Sequence, residues 1–127
     1  MNTFYIEKEN YRLYAKSIKH FDVNAAKPTL VFLHDSWGCT EMWYDFPETL
    51  LKISGINALV YDRRGYGKSS PFEIKQRTKF YLHEEAEELI SVLDNCGIRN
   101  ALIYGHSDGA SIAKDRIALL KILEKQQ

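Results

Sequence analysis

The sequence has little cysteine, little proline and no surplus of charge, and each shortage rules something out. Cys39 and Cys96 are the two cysteines in 127 residues, far apart and without metal-ligand spacing. They exclude a disulfide framework, and they read as small, buried apolar residues in a reducing cytoplasm. Three prolines and seven glycines are too few for a low-complexity or collagen-like chain. The 17 basic and 17 acidic residues cancel, which removes the charged surface that nucleic acid or an anionic membrane would select. No apolar run reaches the roughly 20 residues of a membrane-spanning helix. The opening MNTFYIEKENYR is too polar for the apolar centre of a signal peptide. No internal repeat or linker interrupts the chain. The expectation is a cytoplasmic protein with no nucleic-acid partner, no membrane partner and no metal.

What remains is an ordinary globular composition, 45% hydrophobic and 27% charged, in a chain long enough for one domain with a real core. TFYIE and YRLYAKS alternate as strands do, with Lys8–Asn10 between them as a turn. TLVFLH, from Thr29, is a near-continuous apolar run of strand length, as expected of a strand covered on both faces. Thr40 through Ser54 reads as a helix stopped by Gly55, and INALVY as a second buried strand. From about Lys79 to Cys96, Leu82, Ala86, Leu89, Ile90 and Leu93 recur at helical spacing, and Gly97 supplies the stop. Glu84, Glu85, Glu87 and Glu88 fall mostly on the other side, as a solvated face. ALIYGH is a third buried strand, followed by a helix to the end. Two strands and then β-α-β-α-β-α imply an α/β fold: a mixed sheet with parallel strands at its centre.

Three segments carry chemistry. Gly105-His106-Ser107-Asp108-Gly109 is G-x-S-x-G between a buried strand and a helix, the setting of a nucleophile elbow. A strand that becomes a helix within one residue holds the central Ser in a strained turn. Glycines two positions to either side leave room for strand and helix to approach closely. The hydroxyl of Ser107 would project above the sheet, and the Asp108 N–H would face a developing oxyanion. Taken alone, the five residues also fit a plain turn of small residues. The second segment, FLHDSWG, leaves the first buried strand in a short polar loop. A second oxyanion donor belongs there, with the Ser36 N–H as the choice and Trp37 as the alternative. His34 reads as a packed, hydrogen-bonded histidine rather than a base. The third, YDRRGYGKSSPF, ends in a Gly-Lys-Ser resembling the tail of a phosphate-binding loop. The glycine such a loop needs five residues before Gly67 is Asp62, and Pro71 interrupts the helix that should follow. The segment reads as a structural turn.

HDSWG, YDRRGYGKS and GHSDGAS, in this order and spacing, resemble the N-terminal half of an α/β-hydrolase. They are closest in flavour to the small cytoplasmic esterases and carbon–carbon-bond hydrolases, and the resemblance covers about Thr3 to Ala113. It implies a mostly parallel sheet with flanking helices, Ser107 as nucleophile, Asp108 and Ser36 as oxyanion donors, a small-molecule substrate and no cofactor. Asp35 departs from the glycine usual after the histidine, although Asp tolerates a left-handed backbone better than most residues. In this family an acid and then a histidine follow the nucleophile. After Ser107 the acids are Asp108, Asp115 and Glu124, and no histidine follows. KDRIALLKILEKQQ, residues 114–127, brings charge where the helix after an elbow should stay small or apolar. The sequence therefore reads as a single partial domain, truncated after the elbow helix, with impaired activity. A reading-frame change or early stop near Ala113 is the expected cause, an unusual native helix end the alternative. The strand edge over 101–106 would then be open to self-association.

Overall fold

A computed structural model describes residues 2–19, 28–34, 38–70, 81–106 and 108–113, the side chains of 81–83, 108 and 113 excepted. The expectation for Ser107, Ser36 and Trp37 falls outside these residues. Five strands form one sheet: β1 Asn2–Glu7, β2 Arg12–Ile18, β3 Thr29–Leu33, β4 Ala58–Tyr61 and β5 Ala101–Gly105, in the order β1-β2-β4-β3-β5. β1 and β2 form an antiparallel hairpin, β2 joins β4 antiparallel, and β3 runs parallel to both β4 and β5. The mixed α/β sheet expected from the sequence is present, with its parallel part in β4, β3 and β5.

The period-two alternation of the strands sends side chains to two separate cores. Val31 and Leu33 of β3, Leu59 and Tyr61 of β4, and Leu13 and Ala15 of β2 share one cluster with Ala86, Leu89, Ile90 and Leu93. Those four lie on α2, Tyr81–Asn95, at the helical spacing read from the sequence. Ile112, on α3 (Asp108–Ala113), completes this layer. Phe32, Val60 and Ala58 point to the other face and pack with Leu51 of α1, Phe46–Ser54. The continuous apolar runs of β3 and β4 follow from this: helices cover both faces, so every residue of β4 and the last three of β3 are buried.

Two details correct the sequence reading. Thr40 to Ser54 is not one helix: a 3₁₀ turn over Thr40–Trp43 ends at Tyr44, whose φ is 51°. α1 begins afresh two residues later, with Pro47 in its first turn. Proline lacks an N–H and its ring clashes with the preceding turn, so a helix starts here and cannot run through. Gly55 then closes α1 with a left-handed backbone, its N–H donating to the Leu51 carbonyl at 2.8 Å. The second detail is Glu85, which is buried rather than solvated. The β1–β2 hairpin packs across this side of α2, where Tyr11 Oη donates to Glu88 Oε1 at 2.7 Å and Lys8 Nζ lies 3.7 Å from Glu88 Oε2.

Candidate active site

The carboxyl ends of β3, β4 and β5 lie side by side, since the three strands run parallel. They deliver His34, Asp62 and His106 to one end of the sheet, and α3 starts there at Asp108. In open parallel sheets this is where ligands bind, because strand ends and helix starts converge on it.

The elbow is built by two close backbone approaches. A Cβ placed on Gly105 would sit 2.5 Å from the Gly109 carbonyl oxygen and 2.6 Å from the Ala110 nitrogen. One placed on Gly109 would sit 2.3 Å from the Leu33 carbonyl oxygen and 2.8 Å from that of His34. All four obstacles are main chain, so neither contact could relax by turning a side chain. The first glycine lets β5 meet α3, and the second lets α3 meet the end of β3. Hydrogen bonds hold the same frame: His106 N–H donates to the Leu33 carbonyl at 3.1 Å, and Gly109 N–H to the His106 carbonyl at 3.0 Å.

His34 is buried, and its Nε2 accepts the Arg63 N–H at 2.9 Å. An Nε2 that accepts carries no proton, which assigns the proton to Nδ1 and leaves no lone pair for a base. The ring meets Tyr66 edge-on at 5.0 Å, and the fully buried Arg63 guanidinium lies 5.0 Å from the same Tyr66 ring. His34 thus ties the end of β3 to the turn after β4, as a packed, hydrogen-bonded histidine.

Asp62 organises that turn. Its Oδ1 accepts the Thr40 N–H and its Oδ2 accepts the Lys68 N–H at 2.8 Å. Gly67, with φ +51°, passes so close that a Cβ would lie 2.2 Å from Asp62 Oδ2. Ser69 Oγ donates to the Asp62 carbonyl and accepts the Tyr14 N–H at 2.8 Å. The Lys68 N–H, the Ser69 N–H and the Ser69 hydroxyl, which a phosphate-binding loop would turn to its ligand, are therefore occupied within the protein. The segment is a structural turn, as its spacing indicates.

A model of the alpha/beta hydrolase family matches residues 30–122. The chain belongs to the alpha/beta hydrolase family. The match begins in β3 and runs past Ala113, where the sequence reading ends the resemblance. Epoxide hydrolase B of Mycobacterium tuberculosis is 32% identical over 88 residues, which are 68% of this chain and 23% of that protein. Two solved hydrolase structures align over most of the chain. Est816, described as an N-acyl homoserine lactone degrading enzyme, has a TM-score of 0.66 at 26% identity, over 86% of this chain and 38% of that one. A proline iminopeptidase of Mycobacterium smegmatis has a TM-score of 0.75 at 17% identity, over 87% and 37%. The chain thus spans about a quarter of the length of the epoxide hydrolase it matches.

Within this hydrolase scaffold, the described residues bring together the two elbow glycines, His34, the Asp62 turn and the first residue of α3. Of the site residues expected from the sequence, Asp108 opens α3, while Ser107, Ser36 and Trp37 lie outside the described residues. The sequence reading missed the roles of Asp62 and Arg63. A buried Asp five residues before a glycine was a usable signal, because a glycine that must avoid a side chain needs that side chain nearby. The burial of Arg63 had none: Tyr66 and His34 flank it only after folding.

Proposed function

We propose that this chain carries the nucleophilic portion of a serine hydrolase, with Ser107 attacking a carbonyl carbon of a small-molecule ester or related acyl or carbon–carbon-bond substrate. The Asp108 N–H and the Ser36 N–H, with Trp37 as the alternative, would hold the resulting oxyanion. One observation carries the reading: Gly105 and Gly109 both sit where any Cβ would strike main chain. A loose turn of small residues would not require both glycines, whereas an elbow that lifts its central residue off the sheet does.

Serine chemistry also selects the substrate class. Attack on an acyl carbon gives an ester intermediate, reached through an oxyanion that backbone N–H groups stabilise. Attack by Ser on an epoxide carbon would give an ether, which water does not cleave at a useful rate. The resemblance to epoxide hydrolases therefore supports the scaffold, and Ser107 points to acyl chemistry. The lactone, a cyclic ester, in the description of one structural neighbour is of that class.

The base is the weak point. His34 uses its Nε2 lone pair to accept from Arg63, and residues 108–127 contain no histidine. Loss of a triad member typically costs on the order of 10⁴ to 10⁶ in kcat. Negligible turnover of p-nitrophenyl acetate by these 127 residues is therefore expected. A fluorophosphonate probe needs only one attack per molecule and tests the nucleophile directly. Slow labelling that disappears in Ser107→Ala is the expected result; labelling unchanged in that variant removes Ser107 from the site. A folded chain that takes no label at all would favour the second reading, a non-catalytic binding module on a hydrolase scaffold.

A further inference from the structure

Asp62 and Arg63 are consecutive and fully buried, and their polar groups reach the two ends of one segment. Arg63 N–H donates to His34 Nε2 at 2.9 Å, while Asp62 Oδ1 accepts the Thr40 N–H. Both anchors, His34 and Thr40, are themselves buried. In the sequence the residues between them are 35–39, and Ser36 and Trp37 are among these. Thr40 opens the 3₁₀ turn over Thr40–Trp43, so its N–H has no partner inside that turn. A serine or aspartate just before the turn would ordinarily accept such an N–H. Here Cys39 holds that position, and among the described residues it makes no side-chain cap. Asp62 supplies the acceptor instead, from the end of a different strand. Its own placement is fixed by β2. Asp62 N–H donates to the Tyr14 carbonyl at 2.9 Å, and the Asp62 carbonyl accepts from Ser69 Oγ, which in turn accepts the Tyr14 N–H. The bond from Lys68 N–H to Oδ2 closes the turn after β4 on itself. The Oδ1 bond leaves that turn and serves the segment that follows β3.

We propose that Asp62 is a positioning residue for the oxyanion donor, holding Thr40 while its neighbour Arg63 holds His34. The inference rests on the reading that assigns the donor to the Ser36 or Trp37 N–H. Asp62 meets no reacting atom in this role and acts through the ends of the segment. A donor stabilises an oxyanion only when it is in place before charge develops. Two ends pinned to adjacent residues cannot drift apart independently, because a shift of the turn moves both together. Releasing one end opens conformations to the residues between the anchors that pinning at both ends denies them. A misplacement of about 1 Å is enough to cost roughly 10²-fold in rate. The two pins differ in kind. Arg63 uses a main-chain N–H, which every residue but proline carries. Asp62 uses a carboxylate, which one substitution removes. The Asp62 pin is therefore the one set by side-chain identity.

Thr40→Pro removes this bond from the donor side. Cys39 is extended, with φ −163° and ψ 179°, as a residue before proline prefers, and proline suits the first position of a helical turn. Asp62→Ala removes the bond from the acceptor side. The first readout is the Cys39 thiol, free and half-buried just before Thr40 in the chain, on a Cys96→Ser background. Its reaction with N-ethylmaleimide should quicken about tenfold in either variant, the effect of one buried hydrogen bond on local opening. Tyr11→Phe, which deletes the bond to Glu88 on α2, should leave that rate within about twofold. The second readout is fluorophosphonate labelling over a probe titration, at a temperature where circular dichroism shows every protein folded. The maximal labelling rate should fall roughly 10²-fold in Thr40→Pro and in Asp62→Ala, with half-saturation unchanged. Combining the two should lower it no further, since both act through one bond. A general loss of stability would not produce that split. Variants labelled at the parent's maximal rate would overturn the positioning role while leaving Ser107 as nucleophile. So would a Cys39 that reacts at the parent's rate in both variants. A folded parent that takes no label removes the serine reading itself, and the role of Asp62 with it. Where Asp62→Ala does not fold, Thr40→Pro decides, because it leaves the carboxylate and its Lys68 bond in place.

Discussion

Replacing Gly109 by alanine tests whether the elbow depends on close backbone approach. The new methyl would sit 2.3 Å from the Leu33 carbonyl oxygen and 2.8 Å from that of His34. Ordinary contact begins at 3.4 Å, so α3 must withdraw from the end of β3 by about 1 Å. Overpacking typically costs about 1–3 kcal/mol. With two main-chain obstacles and no side chain to rotate away, about 3 kcal/mol is the expected loss. For a chain of this size each kcal/mol moves Tm by roughly 3–5 °C, which predicts a fall of roughly 9–15 °C. Gly97→Ala is the control: its φ of +67° is unfavourable for alanine, yet nothing lies within 4 Å of the added methyl. It should lose only about 1 kcal/mol. The same approach of α3 to β3 holds the residues that flank position 107. A displacement of about 1 Å should therefore slow fluorophosphonate labelling roughly 10²-fold, at temperatures where both variants remain folded. Thermal melts followed by circular dichroism give the stability order. A Gly109→Ala protein that melts at or above Gly97→Ala would show that the approach is not tight, and the reading of the elbow built on it would fail.

Tyr61 and Asp62 offer two further tests at the end of β4. Burial, and then the nearby Glu85, hold the Tyr61 phenol well above its ordinary pKa of 10.0. The unfolded chain loses that proton first, so stability is complete below about pH 10 and falls as pH rises further. Its hydroxyl has no hydrogen-bond partner among the described residues, so Tyr61→Phe should leave the urea midpoint at pH 7 unchanged or higher and flatten its alkaline decline. A lower midpoint at pH 7 would refute this. Asp62→Asn keeps the shape but sets an amide N–H₂ against one of two backbone donors, Thr40 N–H or Lys68 N–H. A loss of about 2–3 kcal/mol in urea unfolding is expected, and a change below about 0.5 kcal/mol would show that the turn does not depend on the carboxylate.

The legible parts of the fold are those whose signal lies within one element. β3 and β4 could be read because strands covered on both faces must be apolar at every position, and TLVFL and ALVY are nearly so. The inner face of α2 could be read because Ala86, Leu89, Ile90 and Leu93 recur at helical spacing. The break at Tyr44 was less visible: a positive φ on tyrosine has no local signature, and only Pro47 hinted that a helix starts there. Glu85 and Glu88 look solvated in a local pattern. Glu85 is nonetheless buried, and Glu88 is held by Tyr11 and Lys8, which the β1–β2 hairpin brings across the helix from more than seventy residues away. The insertion of β4 between β2 and β3 is likewise a long-range choice that no segment states alone.

The candidate site divides along the same line. G-x-S-x-G is a local instruction, and Gly105 and Gly109 meet main chain as that instruction requires. His34 was legible only as a choice between base and packed residue, and a single partner decides it. That partner, the Arg63 N–H, arrives from the turn after β4. Arg63 can donate there because Asp62 has already curled the turn, and Asp62 can do so because Gly67 leaves room for its carboxylate. The YDRRGYGKS segment is therefore a brace that fixes the end of β3 from the side. The elbow glycines fix the same strand end from the other side, through Gly109 and the Leu33 carbonyl. Ser36, the oxyanion donor we propose, follows His34 by two residues in the sequence. A backbone donor is useful to an oxyanion only if it is already in place when charge develops. Two independent braces on one strand end are what such preorganisation requires, and a turn serving only to connect elements would have no use for the second.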